Sequence, residues 1–203
     1  MIAIVDYGMG NLRSVEKGFL KVGLDARVVS DARAIDDARA IVLPGVGSFR
    51  DCMRNLEKAS LIEPIKRAIE KGKPYLGICL GLQMLFTESE EFGSHKGLDI
   101  LKGKVVRFQI DLKVPHMGWN NVKVVRRPPI FEGIDDGSFF YFVHSYYVVA
   151  DDDGVIAGTT EYGVTFTSMV WRENICATQF HPEKSQEAGL RILKNFGDFV
   201  EKS

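Results

Sequence analysis

A cysteine set between two glycines, in Pro74-Tyr75-Leu76-Gly77-Ile78-Cys79-Leu80-Gly81, is the segment of this chain best suited to chemistry. Residues 74–78 read as a buried strand and residues 80–88 as a helix, so Cys79 falls on the turn between them. That is a nucleophile elbow with a thiol in place of a hydroxyl. Such a turn is tight and strained, and Gly77 and Gly81 remove Cβ atoms that would clash beside it. It exposes the sulfur and sets it near the positive end of the following helix, which favours thiolate. The Leu80 N–H is then available to an oxyanion. Taken alone, the pattern fits a small core cysteine at a strand end equally well.

A thiol nucleophile needs a base, and the base needs a group to orient it. His181-Pro182-Glu183 offers both. Pro182 pushes His181 into an extended conformation, in which residues two apart face the same side, so Glu183 approaches the imidazole. A carboxylate on one ring nitrogen fixes the tautomer and leaves the other facing the thiol. By itself the tripeptide reads as an exposed turn before the last helix. Beside the elbow it completes a triad of Cys79, His181 and Glu183. Pro44-Gly45-Val46-Gly47 closes the third strand, and sites in parallel sheets gather beyond the carboxyl ends of strands. Its glycines let amides turn inward, which assigns Gly45 and Val46 to oxyanion stabilisation after a peptide rotation; a plain turn is the other reading.

The elements that must position these groups alternate. Strands are expected over residues 2–5, 26–29, 40–43 and 74–78, with helices over 11–22 and 61–71. Ser60 stands as a cap for the second helix, with Glu63 at capping-box spacing and Gly72 as its stop. Strands over 104–108, 121–125, 139–143, 146–149, 155–159, 166–171 and 175–179 follow, and a helix over 186–200 closes the chain. This order predicts an α/β protein, a single domain over residues 1–203 with a mixed, mostly parallel sheet flanked by helices.

Composition narrows the class of function. A formal net charge of -1 gives no basic field for nucleic acid, and no apolar run is long enough to span a bilayer. Met1-Ile2-Ala3-Ile4-Val5 leads straight into Asp6 and reads as a first strand rather than a signal peptide. Cys52, Cys79 and Cys176 are widely scattered, which implies free thiols in a reducing, cytoplasmic setting, with Cys52 and Cys176 inert in the core. Tyr7-Gly8-Met9-Gly10 hints at dinucleotide binding, but the third glycine of that fingerprint would fall at Arg13. His95, His116 and His144 are too dispersed in sequence for a metal site.

These segments together resemble the class I (triad) glutamine amidotransferases, over essentially the whole chain. The nucleophile motif is Gly77-Ile78-Cys79-Leu80-Gly81-Leu82-Gln83, and the acid–base motif is His181-Pro182-Glu183. Finer segments are similar to one branch of the class, glutaminase subunits serving histidine biosynthesis. They are Asp6-Tyr7-Gly8-Met9-Gly10-Asn11, Pro44-Gly45-Val46-Gly47-Ser48-Phe49, Pro115-His116-Met117-Gly118-Trp119-Asn120, Phe142-Val143-His144-Ser145-Tyr146 and Phe180-His181-Pro182-Glu183-Lys184-Ser185. The resemblance implies a flavodoxin-like fold and hydrolysis of glutamine to glutamate and ammonia, with no metal or organic cofactor. It implies a heterodimer with a (βα)8-barrel synthase subunit that receives the ammonia. Gln83 and Glu91, helped by backbone at Gly47, Ser145 and Tyr146, should hold glutamine, although a glutamate in Glu88-Ser89-Glu90-Glu91 is ordinarily solvated. Met9, Asn11, Trp119 and Lys184 should lie at the partner interface.

Overall fold

The computed structural model describes residues 1–203. Its first half runs β1 (Ile2–Val5), α1 (Leu12–Lys21), β2 (Ala26–Val29), α2 (Ala32–Asp37), β3 (Ala40–Gly45), α3 (Phe49–Lys58), α4 (Ile62–Glu70), β4 (Tyr75–Cys79) and the one-turn α5 (Leu80–Gln83). The second half is strand-rich: β5 (Gly103–Arg107), β6 (His116–Asn121), β7 (Phe139–His144), β8 (Tyr146–Ala150), β9 (Ile156–Glu161), β10 (Thr165–Arg172) and β11 (Ile175–Thr178), closed by α6 (Gln186–Lys202).

The central sheet is mixed, and helices cover both faces. Five strands run parallel in the order β2-β1-β3-β4-β11. Beyond them β10 is antiparallel to β11, β8 and β9, and β8 is antiparallel to β5. β6 and β7 form a separate antiparallel ribbon. Alternate strand residues enter opposite cores, as the period of two requires. Ile2, Ile4, Leu76 and Ile78 join Phe19 of α1 and Phe196 of α6 on one face. Val5, Ile41, Leu43 and Tyr75 join Ile35, Leu56 and Ile65 on the other. β1, β3 and β4 are buried at every position, which is why they read as continuous apolar runs rather than alternating ones. Truncating one plug of this core, Phe196→Ala, should cost about 3–5 kcal/mol.

Three expectations are corrected. The helix expected over residues 80–88 stops at Gln83, because the Met84 and Leu85 carbonyls accept from Leu98, Ile100 and Leu101 instead of continuing the helical ladder. Glu88–Ser89 then pairs as a short strand with β5. Ser60 does not cap α4: it sits at φ 57, and α4 has Leu61 at its N-cap with no side-chain bond. Ser60 N–H donates to Glu57 and Leu61 N–H to Leu56, so this pair ends α3 in a Schellman motif. The strand expected over 121–125 lies earlier, as β6, with only Lys123–Val124 pairing separately to β9.

Candidate active site

The carboxyl ends of β3, β4 and β11 lie side by side, because Gly45 pairs with Cys79 and Ile78 with Thr178. Cys79 sits on the turn from β4 into α5 at φ 56, ψ -107, a conformation that costs a non-glycine residue about 1–3 kcal/mol. Close packing over-determines it: a Cβ on Gly77 would stand 2.6 Å from the Gly81 carbonyl oxygen, and Tyr75 Oη donates to that same oxygen at 2.8 Å. The elbow therefore exists, but α5 is a single turn. The dipole support expected from a long helix is correspondingly small.

β11 leads through Gln179 and Phe180 to His181, which is extended at φ -103, ψ 97. A 3-10 turn, Pro182–Lys184, follows, and from that turn Glu183 Oε1 reaches His181 Nδ1 at 2.8 Å. The contact is the one expected, made by a turn rather than by extended chain. Both side chains are buried, and His181 Nε2 and Glu183 Oε2 have no hydrogen-bond partner in the protein. Burial works to lower the imidazole pKa, but the neighbouring Cys79 and Glu183 outweigh it and hold His181 up at about 10. Its backbone is clamped as well, since His181 N–H donates to the Tyr141 carbonyl at 2.9 Å and Ser185 Oγ donates to the His181 carbonyl at 2.7 Å.

Cys79 and His181 open on one cavity of about 620 Å³. The expected substrate residues Gly47, Gln83, Glu91, Ser145 and Tyr146 all line it, as do Val46 and Leu80. Gly45 lies behind the lining, beside Cys79 in register, and Glu183 lies behind His181. Gln83 Nε2 donates to the Tyr146 carbonyl and to Gln179 Oε1, each at 3.0 Å. Glu91 is not a solvated surface residue: it is buried and accepts the Phe49 N–H at the head of α3. Burial raises its carboxyl pKa against that hydrogen bond.

Sequence reasoning missed three features. Arg107, at the end of β5, also lines the cavity and brings a positive charge to it. Gln179, fully buried, donates from Nε2 to Cys79 Sγ at 3.6 Å; a polar residue ending an apolar strand two positions before His181 was the available signal. His116 and His144, far apart in the chain, meet in the fold. They face one another across the β6–β7 ribbon, Nδ1 to Nε2 at 2.8 Å, and burial lowers them to about 4 and about 3. No group of three His, Cys, Asp or Glu side chains is arranged to hold a metal ion.

Cys52 and Cys176 are free and buried, and burial pushes their thiols up to about 11 and about 12. Of the residues expected at a partner interface, Trp119 lies on the exposed face of the β6–β7 ribbon with its ring edge-on to Tyr141, and Lys184 Nζ sits 5.8 Å from the Tyr141 ring centre. Asn11 is exposed at the head of α1. Met9 packs on Gly47, where an added Cβ would lie 2.7 Å from its Cε.

A strained thiol elbow at the carboxyl end of a parallel strand and a carboxylate-bound histidine opening on the same pocket are the arrangement that a triad hydrolase uses. The chain belongs to the class I glutamine amidotransferase family, whose model matches residues 3–199. It is 62% identical to the imidazole glycerol phosphate synthase subunit HisH of Syntrophotalea carbinolica, over 98% of this chain and all of that protein. The HisH subunits of Geobacter sulfurreducens (58%, 97% of this chain and 98% of that one) and Aquifex aeolicus (52%, 98% and 97%) are similar over comparable spans. Among solved structures, a glutamine amidotransferase superposes with a TM-score of 0.78 at 18% identity, covering 99% of this chain and 100% of that one. PurLQS from Thermotoga maritima superposes with a TM-score of 0.76 at 20% identity, covering 98% of each. These two likenesses concern the fold.

Proposed function

We infer that this chain is the glutaminase subunit of an imidazole glycerol phosphate synthase, hydrolysing glutamine to glutamate and ammonia. Its partner is a (βα)8-barrel cyclase subunit that uses the ammonia to form imidazole glycerol phosphate and an aminoimidazole carboxamide ribotide. The observation that carries this reading is the convergence of Cys79 and the Glu183-bound His181 on one pocket with Gln83 and Glu91.

Glutamine enters as a zwitterion. Glu91 balances its ammonium group, Arg107 at the rim complements its carboxylate, and the backbone at Gly47, Ser145 and Tyr146 completes the cradle. The Cys79 sulfur adds to the side-chain amide carbon. The oxyanion is met by the Leu80 N–H, which as the first amide of α5 has no intrahelical acceptor, and by amides of the Gly45 to Gly47 loop after Val46 turns its N–H inward. His181 gives its Nε2 proton to the departing nitrogen, so the C–N bond breaks and ammonia leaves with a thioester behind. The neutral imidazole then takes a proton from water, whose oxygen attacks the thioester and releases glutamate and the sulfur. Glu183 keeps Nδ1 protonated throughout. Every proton step uses side chains of this chain alone, so no cofactor is assigned to it.

The docking face is the exposed side of the β6–β7 ribbon, where Met117, Trp119 and Phe139 stand out from the surface, together with Lys184 and the Met9–Asn11 loop. No helix is long and apolar enough to cross a membrane. The three free thiols fit a reducing, cytoplasmic setting. The test is glutamate and ammonia release from free glutamine, with and without the barrel subunit. Cleavage of peptides without ammonia release would make this a cysteine peptidase instead.

A further inference from the structure

The nucleophile's sulfur lies at the end of an unbroken line of hydrogen bonds that starts at the docking ribbon. Asn120 Nδ2 is 3.2 Å from His116 Nε2, and His116 Nδ1 is 2.8 Å from His144 Nε2. His144 Nδ1 is 2.8 Å from the Tyr146 carbonyl oxygen, which also accepts from Gln83 Nε2 at 3.0 Å. Gln83 Nε2 donates onward to Gln179 Oε1 at 3.0 Å, and Gln179 Nε2 faces Cys79 Sγ at 3.6 Å.

This line has only one consistent polarity. A carbonyl oxygen cannot donate, so the atoms of His144 and Gln83 that face Tyr146 O must both be N–H. With its Nδ1 protonated, neutral His144 accepts at Nε2, so His116 carries its proton on Nδ1 and accepts at Nε2 from Asn120. The second N–H of Gln83 requires an acceptor, which fixes Oε1 of Gln179 towards Gln83. Nε2 of Gln179 is then left to donate to the sulfur, and no amide flip is compatible with its neighbours. Burial favours the neutral forms of both histidines, so this polarity persists across the neutral range.

We propose that Gln179 is a further functional residue of this site: it donates the hydrogen bond that holds and stabilises the Cys79 sulfur, with its amide locked in the donating direction by the His116–His144–Tyr146–Gln83 relay. The proposal rests on Cys79 being the nucleophile. Gln179 is 0% exposed, its backbone N–H donates to the Ser168 carbonyl, and its side-chain N–H donates to the Cys79 sulfur. A donor aimed at an anionic sulfur stabilises the charged form, and one aimed along a fixed line restricts where the sulfur sits as it attacks.

The experiment compares the full chain with Gln179→Met and Gln179→Glu. The first removes the donor at nearly constant volume. The second keeps an acceptor for Gln83 and puts oxygen where the N–H was. The rate of Cys79 alkylation by iodoacetamide, resolved by peptide mapping, is followed against pH in each, and glutamine turnover is measured with the barrel partner. His181 (held by Glu183), Tyr7 and Cys52 act electrostatically on Cys79, and Glu91 and Arg107 share its cavity, unchanged in all three proteins, so a difference between them reports position 179. On the rising limb of its pH profile, alkylation of Cys79 should slow by about tenfold in both variants, as loss of one hydrogen bond to a charged sulfur implies. kcat should fall by about the same factor, with KM changing less. If Gln179→Met fails to fold, Gln179→Glu decides. An unmoved alkylation profile and an unchanged kcat in a folded variant overturn the proposal. Cys79→Ala separates the two readings: if it keeps glutaminase activity, the nucleophile assignment fails, whereas an inactive Cys79→Ala beside a silent Gln179 variant removes only Gln179.

Discussion

Gly81 lies so close to β3 that a Cβ on it would stand 1.8 Å from the carbonyl oxygen of Leu43. The first turn of α5 rests directly on the neighbouring strand, immediately after the strained Cys79. Gly81→Ala must push the turn off β3, which should cost on the order of 3 kcal/mol or more. Urea unfolding should show a large fall in the midpoint, together with loss of Cys79 reactivity. A Gly81→Ala protein with wild-type stability and reactivity would show that the elbow tolerates displacement and that its glycines are not required.

Cys79→Ala keeps a Cβ at the same φ, so it neither relieves nor adds strain, and the fold should survive. Glutaminase activity should drop below a few per cent of wild type. The two other thiols are buried and pushed up to about 11 and about 12, so a glutamine-like electrophile should label Cys79 far faster than Cys52 or Cys176. Equal labelling of all three thiols on peptide mapping would contradict the assignment.

His181 and Glu183 should differ in severity. His181→Ala removes the proton carrier for both halves of the reaction and should cost about 10²–10⁴-fold in kcat. Glu183→Gln keeps shape and loses charge, so its deficit should be smaller. The pair also has a stability signature. Because the folded pKa of His181 is raised to about 10 from an ordinary 6.5, its contribution is complete below about pH 6.5 and is lost as pH rises through 10. The melting-temperature gap between wild type and Glu183→Gln should therefore be widest near pH 6 and close towards pH 10. A gap that widens with pH would reverse the assigned charge states.

His116 and His144 act in the opposite sense. Their folded values, about 4 and about 3, lie below the ordinary 6.5, so the unfolded chain takes up protons first as pH falls. Their contribution is complete above about 6.5 and is lost as pH falls towards 4 and 3, with a slope of up to about 1.4 kcal/mol per pH unit for each. His181 does not contribute to that slope below pH 6.5, being protonated in both states. Replacing both, His116→Phe with His144→Phe, should flatten the dependence of stability on pH between 6.5 and 4. Parallel curves for the two proteins would mean that the pair is protonated in the fold.

The candidate triad is legible because its members sit in short motifs whose chemistry needs neighbours in sequence: glycines around Cys79, and Glu183 two residues from His181. The parallel half of the sheet was legible for a related reason, since strands buried on both faces leave continuous apolar runs at Ile2–Val5 and Ala40–Gly45. What failed to show were relations made only by strand register. His116 and His144 are remote in the chain and become partners because β6 and β7 pair them. Gln179 gains meaning only from Gln83 on one side and Cys79 on the other. Helix ends were misread where tertiary partners took the carbonyls, as at Met84 and Leu85. Asp31 and Ser48 carry capping signals as well, and both side chains accept N–H bonds at the heads of α2 and α3.

Docking should reach the site through two contacts. Tyr141 lies in β7 beside Trp119, and its carbonyl accepts the backbone N–H of His181, so one hydrogen bond separates the β6–β7 ribbon, the proposed docking face, from His181. Lys184 sits against the Tyr141 ring from the turn that carries Glu183. On the other side of the pocket, Met9 packs directly on Gly47, which is at φ 98, so a partner that moves Met9 moves the loop expected to supply oxyanion amides. Pro44 O is tied to Tyr7 Oη at 2.8 Å and Val46 O to Cys52 Sγ at 3.7 Å, which holds that loop in its present form until it is pushed. A glutaminase held this way should be slow alone and rise strongly, on the order of 10²-fold or more for a completed oxyanion site, when the barrel subunit and its nucleotide substrate are present. Lys184→Ala and Trp119→Ala should reduce that rise. The measurement is steady-state glutamate production by the chain alone, with the partner, and with partner plus its substrate. Three equal rates would mean that docking leaves the oxyanion site unchanged and that the chain works as a free-standing glutaminase.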